Sequence, residues 1–220
     1  FDPERSIHSP ELYAVWNSKP WMTAAAAAVN PFKSRYFVWA DAGSFRNRHF
    51  DTWPDPSRLA AAFGRCKQSD CVLLGCISAL WPSATVDPSQ HSPLVGDMMQ
   101  GGFYASTAPG MLWWAYEFYS MLHEYARRGI FVGKDQTMFN TMSMKYYYRV
   151  AMLPSYRMTP ACGDDAWFAF QHALAPASET QGKCSLEVEE YRGRISVVRE
   201  PAKKKRSKRR RHAGAAAGRL

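Results

Sequence analysis

The sequence predicts an α/β fold: a mostly parallel sheet flanked by helices, followed by a disordered basic tail. Three observations predict it. Short apolar runs rich in β-branched and aromatic residues alternate with longer segments of helical periodicity. The run Tyr36-Phe37-Val38-Trp39-Ala40 leads straight into Asp41 and turns at Gly43, as a buried strand does when it delivers an acid to the carboxyl end of a parallel sheet. Near Glu200 the composition becomes low-complexity, so a single domain is expected over 1–198 and a tail over 199–220.

The elements follow in order. Ser9-Pro10-Glu11 opens a helix with an N-cap and a first-turn proline, and Leu12, Val15 and Trp16 recur at helical spacing. Pro20 is expected to divide this segment, with Thr23 capping a second helix through Ala24 to Ala28 and Asn30-Pro31 stopping it. After the strand at 36–40, Arg46 to Pro56 reads as a loop, Ser57 to Phe63 as a short helix and Cys71 to Ile77 as a second buried strand. Trp81 to Pro93 has the Pro, Ser and Asp content of a surface segment, and Met98 to Ser106 is a strand interrupted by Gly101-Gly102.

The longest helix runs from about Pro109 to Arg128, with Leu112, Trp113, Tyr116, Tyr119 and Leu122 as its apolar face and Gly129 as its stop. Ile130-Phe131-Val132 reads as a brief strand, Asp135 as the start of a helix carrying Phe139, Met142 and Tyr146, and Tyr147 to Leu153 as a returning strand. Asp164 or Asp165 caps a helix through Trp167, Phe168 and Leu174, and Ser185 to Val198 adds a terminal hairpin.

The net charge of +9 is not a property of the body. Nine of the 28 basic residues lie in 203–219, and the remaining 19 balance the 19 acidic ones. The five cysteines, at 66, 71, 76, 162 and 184, lack CxxC spacing. Cys71 and Cys76 differ by an odd number and face opposite sides of their strand, so they cannot share a metal. Buried thiols are expected, with room for one disulfide. No apolar stretch reaches the roughly 20 residues needed to span a bilayer.

P-loop, GxGxxG, GxSxG and HExxH signatures are missing, and the six histidines are scattered. Three segments remain as carriers of chemistry. Asp41, after its strand, either caps a turn through its own backbone or faces a ligand. Gly101 and Gly102 either mark a β-bulge or let a ligand approach the backbone, beside Gln100. Asp135 either caps its helix or, with Gln136, is aimed at the edge of the sheet. Gln136 and Asn140 are four apart and share a face whose two amides suit a hydroxyl-rich ligand.

Together these pieces resemble the HtrL/YibB family: Trp16-x-x-Lys19, Asn30-Pro31-Phe32, Tyr36 to Gly43, Gln100-Gly101-Gly102-Phe103, and Gly133-Lys134-Asp135-Gln136 with Phe139-Asn140. The resemblance covers about residues 12–150. That family looks like glycosyltransferases of the GT-A type, in which an Asp-x-Asp motif after a strand holds a divalent metal on the nucleotide-sugar diphosphate. A later Asp-Gln pair in that class lies against the transferred sugar or the acceptor. The resemblance implies Asp41 as a metal ligand for manganese or magnesium, with Gly43 standing where the second acid would be. It implies Asp135 and Gln136 as catalytic residues and Gly101 and Gly102 as the backbone beside the donor. Gln100 and Asn140 become substrate contacts, and Lys19 and Arg46 the basic residues that meet the diphosphate. GT-A folds open with a nucleotide-binding strand, and no apolar run of that kind precedes Tyr36.

The expected function is sugar transfer from a nucleotide-sugar donor to an acceptor. Two alternatives stand beside it: a non-catalytic binding protein that kept the fold, or a nuclear or nucleic-acid-associated protein acting through its tail. Lys203 to Arg211 would then contact nucleic acid or an import receptor weakly. A secretory lumen, the cytoplasm and, from the tail, the nucleus are the compartments this sequence allows.

Overall fold

The computed structural model describes residues 2–45, 49–66, 68–78, 92–159, 162–163, 165–180, 184 and 188–190. Its first element is α1, Pro10–Val29, in which Ser9 accepts from Leu12 N and Asn30 ends the helix in the left-handed region at φ 37°. Pro20 does not divide it. The helix runs through, and Thr23 donates back to the Lys19 and Pro20 carbonyls at 2.9 and 3.2 Å instead of capping a new one. The same hydroxyl meets the buried Tyr104 phenol at 2.7 Å, tying α1 to the sheet.

The strands are β1 Tyr36–Ala40, β2 Val72–Cys76, β3 Met99–Thr107, β4 Val150–Pro154 and the two-residue β5 Glu189–Glu190. The helices after α1 are α2 Pro56–Gly64, α3 Ala108–Arg127, α4 Asp135–Lys145 and α5 Ala169–Leu174. Sheet order is β1-β3-β2-β4-β5. Only β2 and β4 pair in parallel; β3 is antiparallel to β1 and β2, and β5 is antiparallel to β4. The expectation of a mostly parallel sheet is therefore corrected to a mixed one. Apolar periodicity reports which faces of a strand are buried and is silent on its direction. Here the chain leaves β2 at one edge and re-enters β3 from that same edge, which forces the pair to be antiparallel.

β1 is an edge strand, half-buried along its length, not the interior strand expected from its apolar run. Ile130 to Val132 forms no strand, and residues 147–149 are a 3-10 turn before β4 begins. The terminal hairpin is described only at β5, and the tail, Asp164 and Arg46 lie outside the described residues.

Alternation along the strands builds a core on each face. Val72, Leu74, Cys76, Tyr104 and Met152 pack against α3 and α4, while Leu73, Phe103, Ala105 and Leu153 pack against α2 and α5. On α3 the buried stripe is Met111, Trp114, Phe118, Met121 and Tyr125. Leu112 and Tyr116, expected on the core face, are exposed. Two apolar stripes overlap on that helix at spacings of three and four, and the core took the one offset by a residue.

The cysteines also differ from expectation. Cys66–Cys71 and Cys162–Cys184 are disulfides, and Cys76 is a buried thiol outside both, donating to the Ser78 carbonyl. Cys71 lies just before β2 rather than within it, so it reaches back to the end of α2. The partners of the second pair are 22 positions apart in sequence, yet their Cα atoms lie 4.6 Å apart. Residue spacing carries no trace of that approach.

Candidate functional site

β1, β2 and β4 present their carboxyl ends, and β3 its amino end, to one edge of the sheet. Asp41 extends the β1–β3 ladder by donating its N–H to the Gly102 carbonyl at 2.9 Å. That bond fixes its side chain at the edge. Across from it, Lys134 is the N-cap of α4 and Asp135 the first helical residue, so the carboxylate sits where backbone N–H groups are unpaired. Asp135 Oδ1 accepts from Gln136 N at 2.8 Å.

Lys19, from the middle of α1, reaches between the two acids. Its ammonium lies 3.1 Å from Asp41 Oδ1, 3.2 Å from Asp41 Oδ2 and 2.9 Å from Asp135 Oδ2, and donates to the Gly101 carbonyl at 2.9 Å. The Lys19 and Asp135 side chains are 5% and 6% exposed, whereas that of Asp41 is 41% exposed. Trp39 Nε1 donates to Asp41 Oδ1 at 2.6 Å, so the indole of the preceding strand also aims this carboxylate. Burial pushes the Asp135 carboxyl above the ordinary aspartate range; Lys19 opposes that shift and the Asp41 charge adds to it.

The glycines explain how the acids fit. A Cβ on Gly101 would stand 2.6 Å from Asp135 Oδ1, so only glycine lets the carboxylate lie on this backbone. Gly102 is less constrained, 3.5 Å from Asp41 Oδ2. Between the pairs Leu74↔Tyr104 and Cys76↔Met99, β3 uses more residues than β2. A bulge and a close approach therefore coincide at the Gly-Gly pair.

The cleft so formed has a volume of about 550 Å³. Lys19, Asp41, Gly43, Gln100, Gly101, Gly102, Asp135 and Gln136 all line it. Gln100 is fully buried beneath it, over Gly75, where a Cβ would be 2.6 Å from the Gln100 amide carbon. Its Nε2 donates to the Ala166 carbonyl at 3.1 Å. Gln136 reaches Asp97 at 3.3 Å across the rim.

Asn140 does not join them. It is wholly buried, accepts from Met99 N at 2.8 Å and donates to the Leu94 and Gly96 carbonyls at 3.0 and 2.8 Å. Its amide is a brace that holds 94–99 onto α4.

Sequence reasoning missed His8, Lys134, Trp167 and Phe168, which also line the cleft, as does Trp16. Lys134 pairs with Glu4 at 2.7 Å, and His8 meets the other oxygen of Glu4 at 3.1 Å. Trp167 and Phe168 lie on a 3-10 turn capped by Asp165 and remain 37% exposed. Two adjacent aromatic side chains on a turn were the only signal for that wall. Among the described residues no three His, Cys, Asp or Glu side chains converge. No helix among them is long and apolar enough to cross a membrane.

No protein-family model, curated protein or solved structure matches the chain.

Proposed function

We propose that this cleft is the active site of a glycosyltransferase that uses a nucleotide-sugar donor, with a GT-A-like arrangement of its strands. One observation carries the proposal. Asp41 and Asp135, far apart in sequence, line a single cleft at the carboxyl ends of three co-directional strands. Supporting it, the aromatic side chains of Trp16, Trp167 and Phe168 also line the cleft. Sugars are amphipathic in that sense: their hydroxyls suit carboxylates and amides, and their C–H faces suit aromatic rings.

The chemistry is displacement at the anomeric carbon. The acceptor hydroxyl forms the new C–O bond while the bond to the diphosphate breaks, the leaving diphosphate taking the electron pair. Asp135 accepts the hydroxyl proton; a carboxyl raised toward neutrality by burial is suited to that task. The exposed side of Asp41 orients the donor, and the α4 N-terminus and Lys134 favour the developing negative charge. Two disulfides favour an oxidising compartment, and hence the secretory lumen among the compartments considered.

A non-catalytic sugar-nucleotide binder is the second reading. What favours it is that the Lys19 ammonium is already engaged by Asp41, Asp135 and the Gly101 carbonyl within the protein. Hydrolysis and transfer assays on a panel of nucleotide sugars, with Asp41→Ala and Asp135→Ala controls, separate the two. Turnover lost in both variants supports transfer. Binding without turnover supports the second reading, and activity indifferent to both substitutions rejects this cleft.

A further inference from the structure

We propose that the Lys19 ammonium is the resident cation of this cleft: it joins Asp41 and Asp135 where a divalent metal would otherwise sit, and the cleft takes its ligand without one. This depends on the cleft being a ligand site, not on the identity of the sugar.

The donor set is the first reason. The ammonium is surrounded by oxygens alone: the Asp41 carboxylate at 3.1–3.2 Å, Asp135 Oδ2 at 2.9 Å and the Gly101 carbonyl at 2.9 Å. Two carboxylates and a backbone carbonyl are also what a hard divalent cation takes as ligands, at shorter distance. Lys19 donates to Asp41 Oδ2 and to the Gly101 carbonyl and pairs by charge with Asp135 Oδ2, so its positive charge is held between the two acids. Lys19 thus acts through its charge and by positioning the acids.

What is left over is the second reason. Asp41 Oδ1 accepts from Trp39 and lies 3.1 Å from the ammonium, and Oδ2 accepts from the ammonium. Hydrogen bonds from Trp39 and the ammonium thus occupy about half of the roughly four lone-pair sites of this carboxylate. Asp135 Oδ1 is held by the Gln136 N–H and Oδ2 faces Lys19. A metal would have to bind beside an ammonium already seated between the acids. The repulsion of two like charges at such range opposes it. Gly43, where a second acid would complete a metal pair, offers no side-chain ligand.

The experiment has two arms. In the first, manganese binding is followed by electron paramagnetic resonance on the full chain and on Lys19→Ala. The wild type is expected to bind no Mn²⁺ at submillimolar concentration. Lys19→Ala is expected to bind one per chain, lost again when Asp41→Asn is added. Wild-type binding that disappears with Asp41→Asn overturns the proposal, and so does a folded Lys19→Ala chain that takes up no Mn²⁺. Should Lys19→Ala fail to fold, the wild-type measurement alone still decides.

In the second arm, calorimetry measures the affinity of UDP and of UDP-glucose for the wild type in EDTA and in 1 mM Mn²⁺ (roughly the upper end of ordinary extracellular cation sites). Affinities within twofold of each other are expected. A gain of tenfold or more in Mn²⁺ overturns the proposal and leaves the glycosyltransferase reading standing. If neither compound nor any other nucleotide sugar binds under either condition, the glycosyltransferase reading falls, and the manganese arm still judges Lys19.

Discussion

The Gly101 α-carbon lies so close to Asp135 that a single added methyl would stand 2.6 Å from the carboxylate Oδ1, while the same addition at Gly102 would rest 3.5 Å from Asp41 Oδ2. Two neighbouring glycines thus carry different obligations. Gly101 admits a buried acid onto the strand backbone, and Gly102 passes alongside a half-exposed one.

Gly101→Ala should therefore destabilise the protein by about 1–3 kcal/mol through overpacking, because Asp135 is pinned by Lys19 and the α4 N-terminus and cannot retreat. Gly102→Ala should stay within about 1 kcal/mol of the wild type, an ordinary contact being all that it adds. Urea titrations of both variants check this. Equal losses would mean that the carboxylate is not held against Gly101.

Lys19→Met should cost roughly 3–5 kcal/mol at neutral pH, since it leaves a buried carboxylate without its counter-charge. Adding Asp135→Asn should recover much of that loss. Thermal and chemical unfolding of the single and double variants give the coupling. A double variant no more stable than Lys19→Met would show that the two do not form one unit.

The raised carboxyl of Asp135 fixes a sign for the pH dependence. A folded-state pKa above the unfolded value means that the native state holds the proton more tightly. The contribution of this group is then fully present below the ordinary aspartate range and is lost as pH rises through the raised value. Asp135→Asn should remove that part of the slope, read as the difference between wild-type and variant stability across this window. A variant whose pH profile runs parallel to the wild type would refute the shift.

Asn140→Ala should cost about 1–3 kcal/mol, because it strands the buried Met99 N–H and removes the donors that hold the Leu94 and Gly96 carbonyls. Gln136→Ala should change stability by less than about 1 kcal/mol and instead weaken nucleotide-sugar binding, as expected of a residue on the cleft rim. Calorimetric stability and ligand affinity measured on both would expose a reversal of these roles.

Replacing Cys162 and Cys184 together with alanine should lower stability by roughly 2–4 kcal/mol, about 4–16 °C in melting temperature for a chain of this size, and a reductant should lower the wild type similarly. A wild-type melt indifferent to reductant would argue that this bridge does not form.

The candidate site was more legible in the sequence than the sheet that presents it. Asp41, Gly101 and Asp135 each sit at a junction that local chemistry marks: an acid after an apolar run, a glycine pair inside a strand, an acid at a helix start. Apart from the strand expected at 130–132 and the break expected at Pro20, helix and strand positions followed from apolar spacing to within a few residues, because burial imposes periods of 3.6 and 2 on the chain itself. What depended on partners could not be read that way. Pro20 stayed within one helix because α1 had a surface to pack on, and Asn140 turned inward because 94–99 needed its amide. The sequence alone determined where most strands and helices lie and the junctions at which Asp41, Gly101 and Asp135 stand. Only the tertiary structure decided the direction of β3, the two disulfides, and the seating of Lys19 between Asp41 and Asp135. Those depend on which distant segments meet, and electrostatic and covalent pairing at a few ångströms leaves no periodic mark along the chain.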